Sequence, residues 1–195
     1  MLLDLIQPTT GHIINNEVQV NTSESWKPFT ASFLDESFLI GYLTPEEYFY
    51  FIGDLRGQNK ADVDALLTKH EEFFNGEILK NKKYLRDLSK GNQKKVGIIA
   101  TLIGNPQVVI LDEPFANLDS IIKKKVMLNL QSVLRKEQIA CIFVTHDIHD
   151  AFGMVDELFI IKNGRIVQKG TSEDIYNFPK NKYVALLTGD GFMLK

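Results

Sequence analysis

Apolar and polar positions in the second half of the chain alternate between two periods. Val108-Val-Ile-Leu111 is a continuous apolar run that ends on two adjacent acids, Asp112 and Glu113, as expected of a strand buried on both faces of a parallel sheet. Ile139 to Thr145 repeats the pattern, and helical stretches lie before and between the two runs. Strands and helices in alternation predict an α/β fold with a parallel sheet. The first half is less regular. Gly11 to Val20 reads as two short strands around Asn15-Asn16, and Ala31 to Leu34 as another strand. Thr44-Pro-Glu-Glu47 puts a hydroxyl at the N-cap, proline at N1 and a carboxylate at N3, so a helix starts there and runs towards Leu55, with Gly57 ending it. Val63, Leu66, Leu67, His70, Phe73 and Phe74 follow at helical spacing and predict a second helix, with His70 in a structural role. Further helical patterns run from Gln93 to Ile103 and from Thr171, as cap of a last helix, to Phe178. Asn163-Gly164 inside Ile161 to Ile166 suits a type I′ hairpin turn.

Composition narrows the classes. With 195 residues, 44% hydrophobic and 24% charged, the chain fits a single globular domain, residues 1–195, with a substantial core. A net charge of −3 supplies no global basic field for nucleic acid or anionic lipid. The single cysteine, Cys141, sits in an apolar run and reads as a small buried hydrophobe, in keeping with a reducing compartment. No apolar run approaches the ~20 residues that span a bilayer, and Lys80, Lys82 and Lys83 read as a solvated surface.

Three segments carry candidate chemistry. Asp112 and Glu113 stand where open α/β sheets bind ligands, at a strand's C-terminal end. An aspartate there can hold magnesium, usually through water, and a glutamate can polarise an attacking water. The pair equally suits a strand that simply ends in two acids. Leu88-Ser-Lys-Gly-Asn92 places a hydroxyl, a glycine and free backbone N–H groups at a helix start, which is either an anion site or an ordinary cap. Thr145-His146-Asp147 ends the second strand, and a histidine there can meet a terminal phosphate or serve the fold.

In this order the segments closely resemble the ATP-binding-cassette (ABC) family: signature LSKGN, Walker B VVILDEP, D-loop Asn117-Leu-Asp119 and the switch histidine in THD. The resemblance implies an α/β, P-loop NTPase-like cassette with a parallel core sheet and a small antiparallel β region. A helical subdomain over about residues 44–103 would carry the signature. By resemblance Asp112 is the magnesium ligand, Glu113 the general base and His146 the γ-phosphate switch. Ser89 and Gly91 would contact the nucleotide of the opposite subunit in a cassette dimer, with Asn92, Asp119 and Asp35 as further nucleotide-binding candidates. ATP and Mg2+ are the implied cofactors. The implied partners are a membrane-spanning transporter subunit and a second cassette, without nucleic acid, at the inner face of the cell membrane. Leu43-Thr-Pro-Glu-Glu-Tyr48 to Leu55-Arg-Gly57 resembles bacterial export-type cassettes.

Three departures qualify these expectations. None of the thirteen glycines is followed by lysine, so the sequence contains no G-x-x-x-x-G-K-[ST] loop. Leu2-Leu-Asp-Leu-Ile6 and Pro8-Thr-Thr-Gly11 resemble the helix and turn after such a loop. The cassette is therefore expected to be N-terminally incomplete, with a strand and loop encoded upstream and little ATP turnover by the chain alone. Lys90 and Asn92 replace the glycine and glutamine of the commonest signature. The Q-loop glutamine is not evident: Asp35 falls nearest its place, with Glu36 one residue off. A non-catalytic partner cassette that lends its signature to an intact subunit remains an alternative, as does a truncated gene product. Cassettes acting on DNA or ribosomes carry long coiled coils or a second cassette, and neither occurs here.

Overall fold

Strand β3 (Thr30–Phe33) lies parallel to β4 (Val108–Asp112), with Thr30 opposite Val108 and Phe33 opposite Leu111. Strand β5 (Ala140–Val144) completes a three-stranded sheet in the order β3-β4-β5. The computed structural model describes residues 2–189, which form two compact units divided between Ile142 and Phe143.

In the first unit, β1 (Ile14–Asn15) and β2 (Val18–Gln19) form an antiparallel pair. Both turn residues, Asn16 and Glu17, have positive φ. The buried Trp26 donates its indole N–H to Val20 O at 3.0 Å and anchors the segment that leads to β3. Helix α1 (Pro45–Leu55) starts on a full capping box between Thr44 and Glu47, and Gly57 (φ +67°) follows its end. The single helix expected over 63–74 is instead two, α2 (Lys60–Lys69) and α3 (Glu71–Phe74). His70 breaks the run: it is buried and is the junction residue of both helices. The break lets Phe74 meet Phe49 of α1 with ring centroids 5.7 Å apart. Helix α4 (Lys90–Ala100) begins three residues earlier than its apolar pattern, because Ser89 caps it. Its middle lies against β3: a Cβ on Gly97 would stand 2.1 Å from the Phe33 ring. Helix α5 (Ser120–Lys136) follows β4.

The second unit has its own core of Ile148, Ala151, Leu158, Ile160, Ile175 and Val184. It contains α6 (Ile148–Ala151), the hairpin β6 (Leu158–Lys162) and β7 (Arg165–Gly170), and α7 (Ser172–Asn177). Positive φ at both Asn163 and Gly164 fits the expected type I′ turn. Helix α7 is not the last: α8 (Lys182–Leu187) follows, capped by Asn181.

A further local expectation fails at the N-terminus. Residues 2–6 form turns and bends rather than a helix, with Asp4 at φ +56°; Met1 lies outside the described residues. Leu5 and Ile6 are 71% and 70% exposed, so no buried apolar face offsets the cost of nucleating so short a helix.

Candidate functional site

Strand β4 is buried through Val109, Ile110 and Leu111 and delivers an exposed Asp112 at its C-terminal end. Glu113 follows in the left-handed region at φ +45°, a conformation that costs a non-glycine residue ~1–2 kcal/mol. Its carbonyl oxygen accepts two hydrogen bonds, from Ala116 N–H at 3.1 Å and from Lys94 Nζ at 2.7 Å. The chain thus turns sharply after Asp112. Among the described residues no cluster of three or more His, Cys, Asp or Glu is placed to hold a metal. A lone exposed carboxylate nonetheless fits magnesium, which takes one or two protein carboxylates and completes its shell with phosphates and water.

The signature segment enters α4 under tight control. The buried Gln93 side chain donates to Leu85 O at 2.9 Å and Leu88 O at 3.2 Å, fixing the approach to the helix. Ser89, exposed, accepts from Asn92 N–H at 3.3 Å and acts as N-cap. Asn92 also donates its side-chain amide to Glu77 Oε2, at a long 3.5 Å. The helix start keeps the partial positive charge that suits a phosphate. Gly91 has a steric reason to be glycine, since a Cβ there would stand 3.1 Å from Leu118 Cδ2. The signature turn and the Asn117-Leu118-Asp119 loop therefore touch within the first unit. Asp119 caps α5 by accepting from Ile121 N–H at 2.9 Å.

The loop after β3 divides its two acids. Asp35 is exposed and turned onto its own chain, accepting from Ser37 N–H at 2.7 Å. Hydrogen bonding from Ser37, its side chain first and its backbone second, with Lys90 and Lys94 adding to it, holds the carboxyl below the usual carboxylate range. Glu36 makes the longer-range contact instead: Oε1 lies 3.2 Å from Lys90 Nζ and Oε2 3.9 Å from Lys94 Nζ. Lys94 lies in no motif that marks it in the sequence. Its only sequence signal is a lysine on the inward face of a helix, four residues after Lys90.

His146 belongs to the second unit, exposed in the turn between β5 and α6. Thr145 Oγ1 accepts from Asp147 N–H at 3.0 Å, and Asp147 caps α6 by accepting from His149 N–H at 3.0 Å. These bonds fix the backbone on the C-terminal side of His146. Cys141 is half-buried, and burial pushes its thiol up to about 11, which keeps it protonated and unreactive.

Comparison with known proteins places these features in a family. The ABC transporter family model matches residues 1–116. The spermidine/putrescine import ATP-binding protein PotA of Aster yellows witches'-broom phytoplasma is 38% identical over 137 residues, covering 65% of this chain and 33% of the relative. PotA of Oleidesulfovibrio alaskensis is 43% identical over 127 residues, 65% of this chain and 32% of the relative. PotA of Bacillus cereus is 29% identical over 201 residues, spanning the whole chain and 59% of the relative. The chain thus spans about a third of the phytoplasma relative's length. Among solved structures, the chain is similar to the dimeric ATP-binding cassette MJ0796 bound to ADP and Pi after hydrolysis. The TM-score there is 0.74 at 20% identity, covering 86% of this chain and 76% of the other. An ATP-binding subunit of an ABC transporter gives 0.75 at 24% identity, covering 96% and 75%. These two likenesses establish the ABC cassette fold. The similar relatives are named as import proteins, so the export-type resemblance of Leu43 to Gly57 is not supported; that segment forms a proline-led, capped helix start. With its family model, its fold and its signature-to-Walker B order in agreement, the chain belongs to the ABC transporter family.

Proposed function

We propose that the chain is part of the ATP-binding subunit of an import-type ABC transporter whose cargo is a polyamine. The observation that carries this reading is the convergence in one unit of an exposed Asp112 and an adjacent Glu113 with the capped signature helix and the Gly91–Leu118 approach. The relatives' names supply the cargo class and direction. In this role Asp112 holds Mg2+ and Glu113 polarises the attacking water. Ser89, Gly91, Asn92 and Asp119 face the nucleotide of a second cassette, Asp35 stands nearest the place of the Q-loop glutamine, and His146 reads the γ-phosphate. The phosphate-binding loop that this chemistry needs comes from outside these 195 residues, which hold no Gly-Lys pair. Residues 1–195 alone neither bind MgATP tightly nor turn it over.

A groove of about 330 Å³ runs between the β3 loop and α1, lined by Phe33, Leu34, Phe38, Leu39, Ile52 and Leu55 among others. Phe38 and Leu55 are each 69% exposed. An apolar groove of this kind suits a protein partner, and we assign it to the membrane-spanning subunit, which holds the chain at the membrane surface. Among the described residues no helix is long and apolar enough to cross a membrane itself.

Uptake of labelled spermidine into vesicles carrying the assembled transporter tests the reading. Uptake should need ATP, fall at least ~100-fold with Glu113→Gln, and drop with Phe38→Asp. ATP-independent uptake, or ATP-driven uptake into inverted vesicles, would refute it. The complete signature turn beside a missing Gly-Lys pair also favours a second reading, in which the chain lends Ser89 and Gly91 to an intact partner cassette. Ser89-dependent stimulation of that partner's ATPase distinguishes the two.

A further inference from the structure

Lys94 is 4% exposed, yet it carries a charge into the middle of unit 1. A buried ammonium is costly unless it is paired and hydrogen-bonded, and here it has two partners from distant parts of the chain. Nζ donates to Glu113 O at 2.7 Å and lies 3.9 Å from Glu36 Oε2. Glu36, its side chain only 11% exposed, is also 3.2 Å from Lys90 Nζ at the helix start. One side chain therefore joins the signature helix, the loop after β3 and the backbone of the residue after the Walker B aspartate. Glu113 sits in a disfavoured left-handed conformation that the surrounding contacts must maintain. The bond from Lys94 falls on the carbonyl of that residue, alongside the turn bond from Ala116.

We propose that Lys94 is a positioning residue for the hydrolytic glutamate: its charge-assisted bond to Glu113 O holds the left-handed turn, and Glu36, paired with Lys90 and Lys94, ties that turn to the loop after β3. The proposal rests on Glu113 being the general base. Lys94 touches neither nucleotide nor water in this scheme; it acts through Glu113's backbone. A shift of the loop after β3 then reaches Glu113 through two charges, without a glutamine in that loop.

Two measurements test it. Hydrogen exchange on the 195-residue chain compares wild type with Lys94→Met, Lys94→Arg and Glu36→Gln. Lys94→Met, which keeps the packing volume and loses the donor, should speed exchange over residues 113–117 by about tenfold, the worth of a lost bond to a charged group. Exchange in α1 and α2 should stay unchanged, and Lys94→Arg should restore protection at 113–117. An unchanged rate at 113–117, or acceleration spread evenly over the unit, would overturn the proposal. The second measurement is ATP hydrolysis by the assembled transporter, where Lys94→Met should lower kcat about tenfold with KM within about twofold, and Lys94→Arg should recover most of it. A rise in KM with kcat unchanged would contradict a positioning role. An ATPase indifferent to Glu113→Gln would instead refute the base assignment and with it the hydrolytic part of the proposal, while exchange at 113–117 still decides whether Lys94 holds the turn.

Discussion

A methyl group added at Gly97 would lie 2.1–2.7 Å from three carbons of the Phe33 ring, and that ring is itself buried. Gly97→Ala must push α4 away from β3 or force Phe33 off its rotamer, so we expect it to cost at least ~1–3 kcal/mol, read as a lower urea midpoint at unchanged m-value. At Gly57, where nothing lies near an added Cβ, the cost of Gly57→Ala comes from positive φ alone. It should stay near ~1 kcal/mol. His70 supplies a pH test. Burial first, with Lys69 adding, pushes its imidazole below the usual value of 6.5, while Glu137 opposes. A depressed folded value means that the unfolded chain takes up the proton first. This contribution to stability is therefore complete above about pH 6.5 and is lost as pH falls through the lower folded value. Between pH 7 and pH 5 the wild-type melting temperature should drop more than that of His70→Asn; parallel curves would rule out His70 as a source of acid sensitivity.

Helix caps decide where the elements begin, and they were the most legible part of the sequence. In α1 Thr44 N–H donates to Glu47 Oε2 at 2.8 Å and Glu47 N–H to Thr44 Oγ1 at 3.3 Å. Thr44→Ala should cost about 1 kcal/mol in a thermal or urea melt. The same local logic predicted the α7 cap at Thr171 and the Asn163-Gly164 turn, since each signal lies within four residues of its effect. Legibility fails where a distant contact decides. The apolar pattern runs through His70 without showing that α2 stops there; the break goes with the packing of Phe74 on Phe49, a contact with another helix that the pattern does not report. Asp35 read as the better candidate for the loop after β3. The fold spends it on a cap and sends Glu36 to Lys90 and Lys94. That pairing joins residues far apart in sequence, and no spacing rule reports it. The resemblance proposes roles for Asp112, Glu113, Ser89, Gly91 and His146 because the family's motifs are local strings; Lys94 has no such string.

At the scale of the whole molecule, the sheet is unevenly protected. β4 is buried through its middle three residues, whereas β5, at the end of the sheet among the described residues, exposes Ala140, Ile142 and Val144. Parallel strands are ordinarily covered on both faces, and an exposed apolar edge is a template for association. The isolated chain should therefore self-associate in a concentration-dependent way by light scattering, and Ile142→Lys should reduce that association. The central claim is that these residues form the hydrolytic side of an ABC cassette, and ATP turnover tests it most directly. With the phosphate-binding loop of a PotA relative joined upstream of Met1, wild-type chain should hydrolyse MgATP, and Glu113→Gln should lower kcat by on the order of 10²–10⁴-fold while nucleotide still binds. Turnover equal in wild type and Glu113→Gln, or no turnover from a folded, nucleotide-binding fusion, would contradict the account.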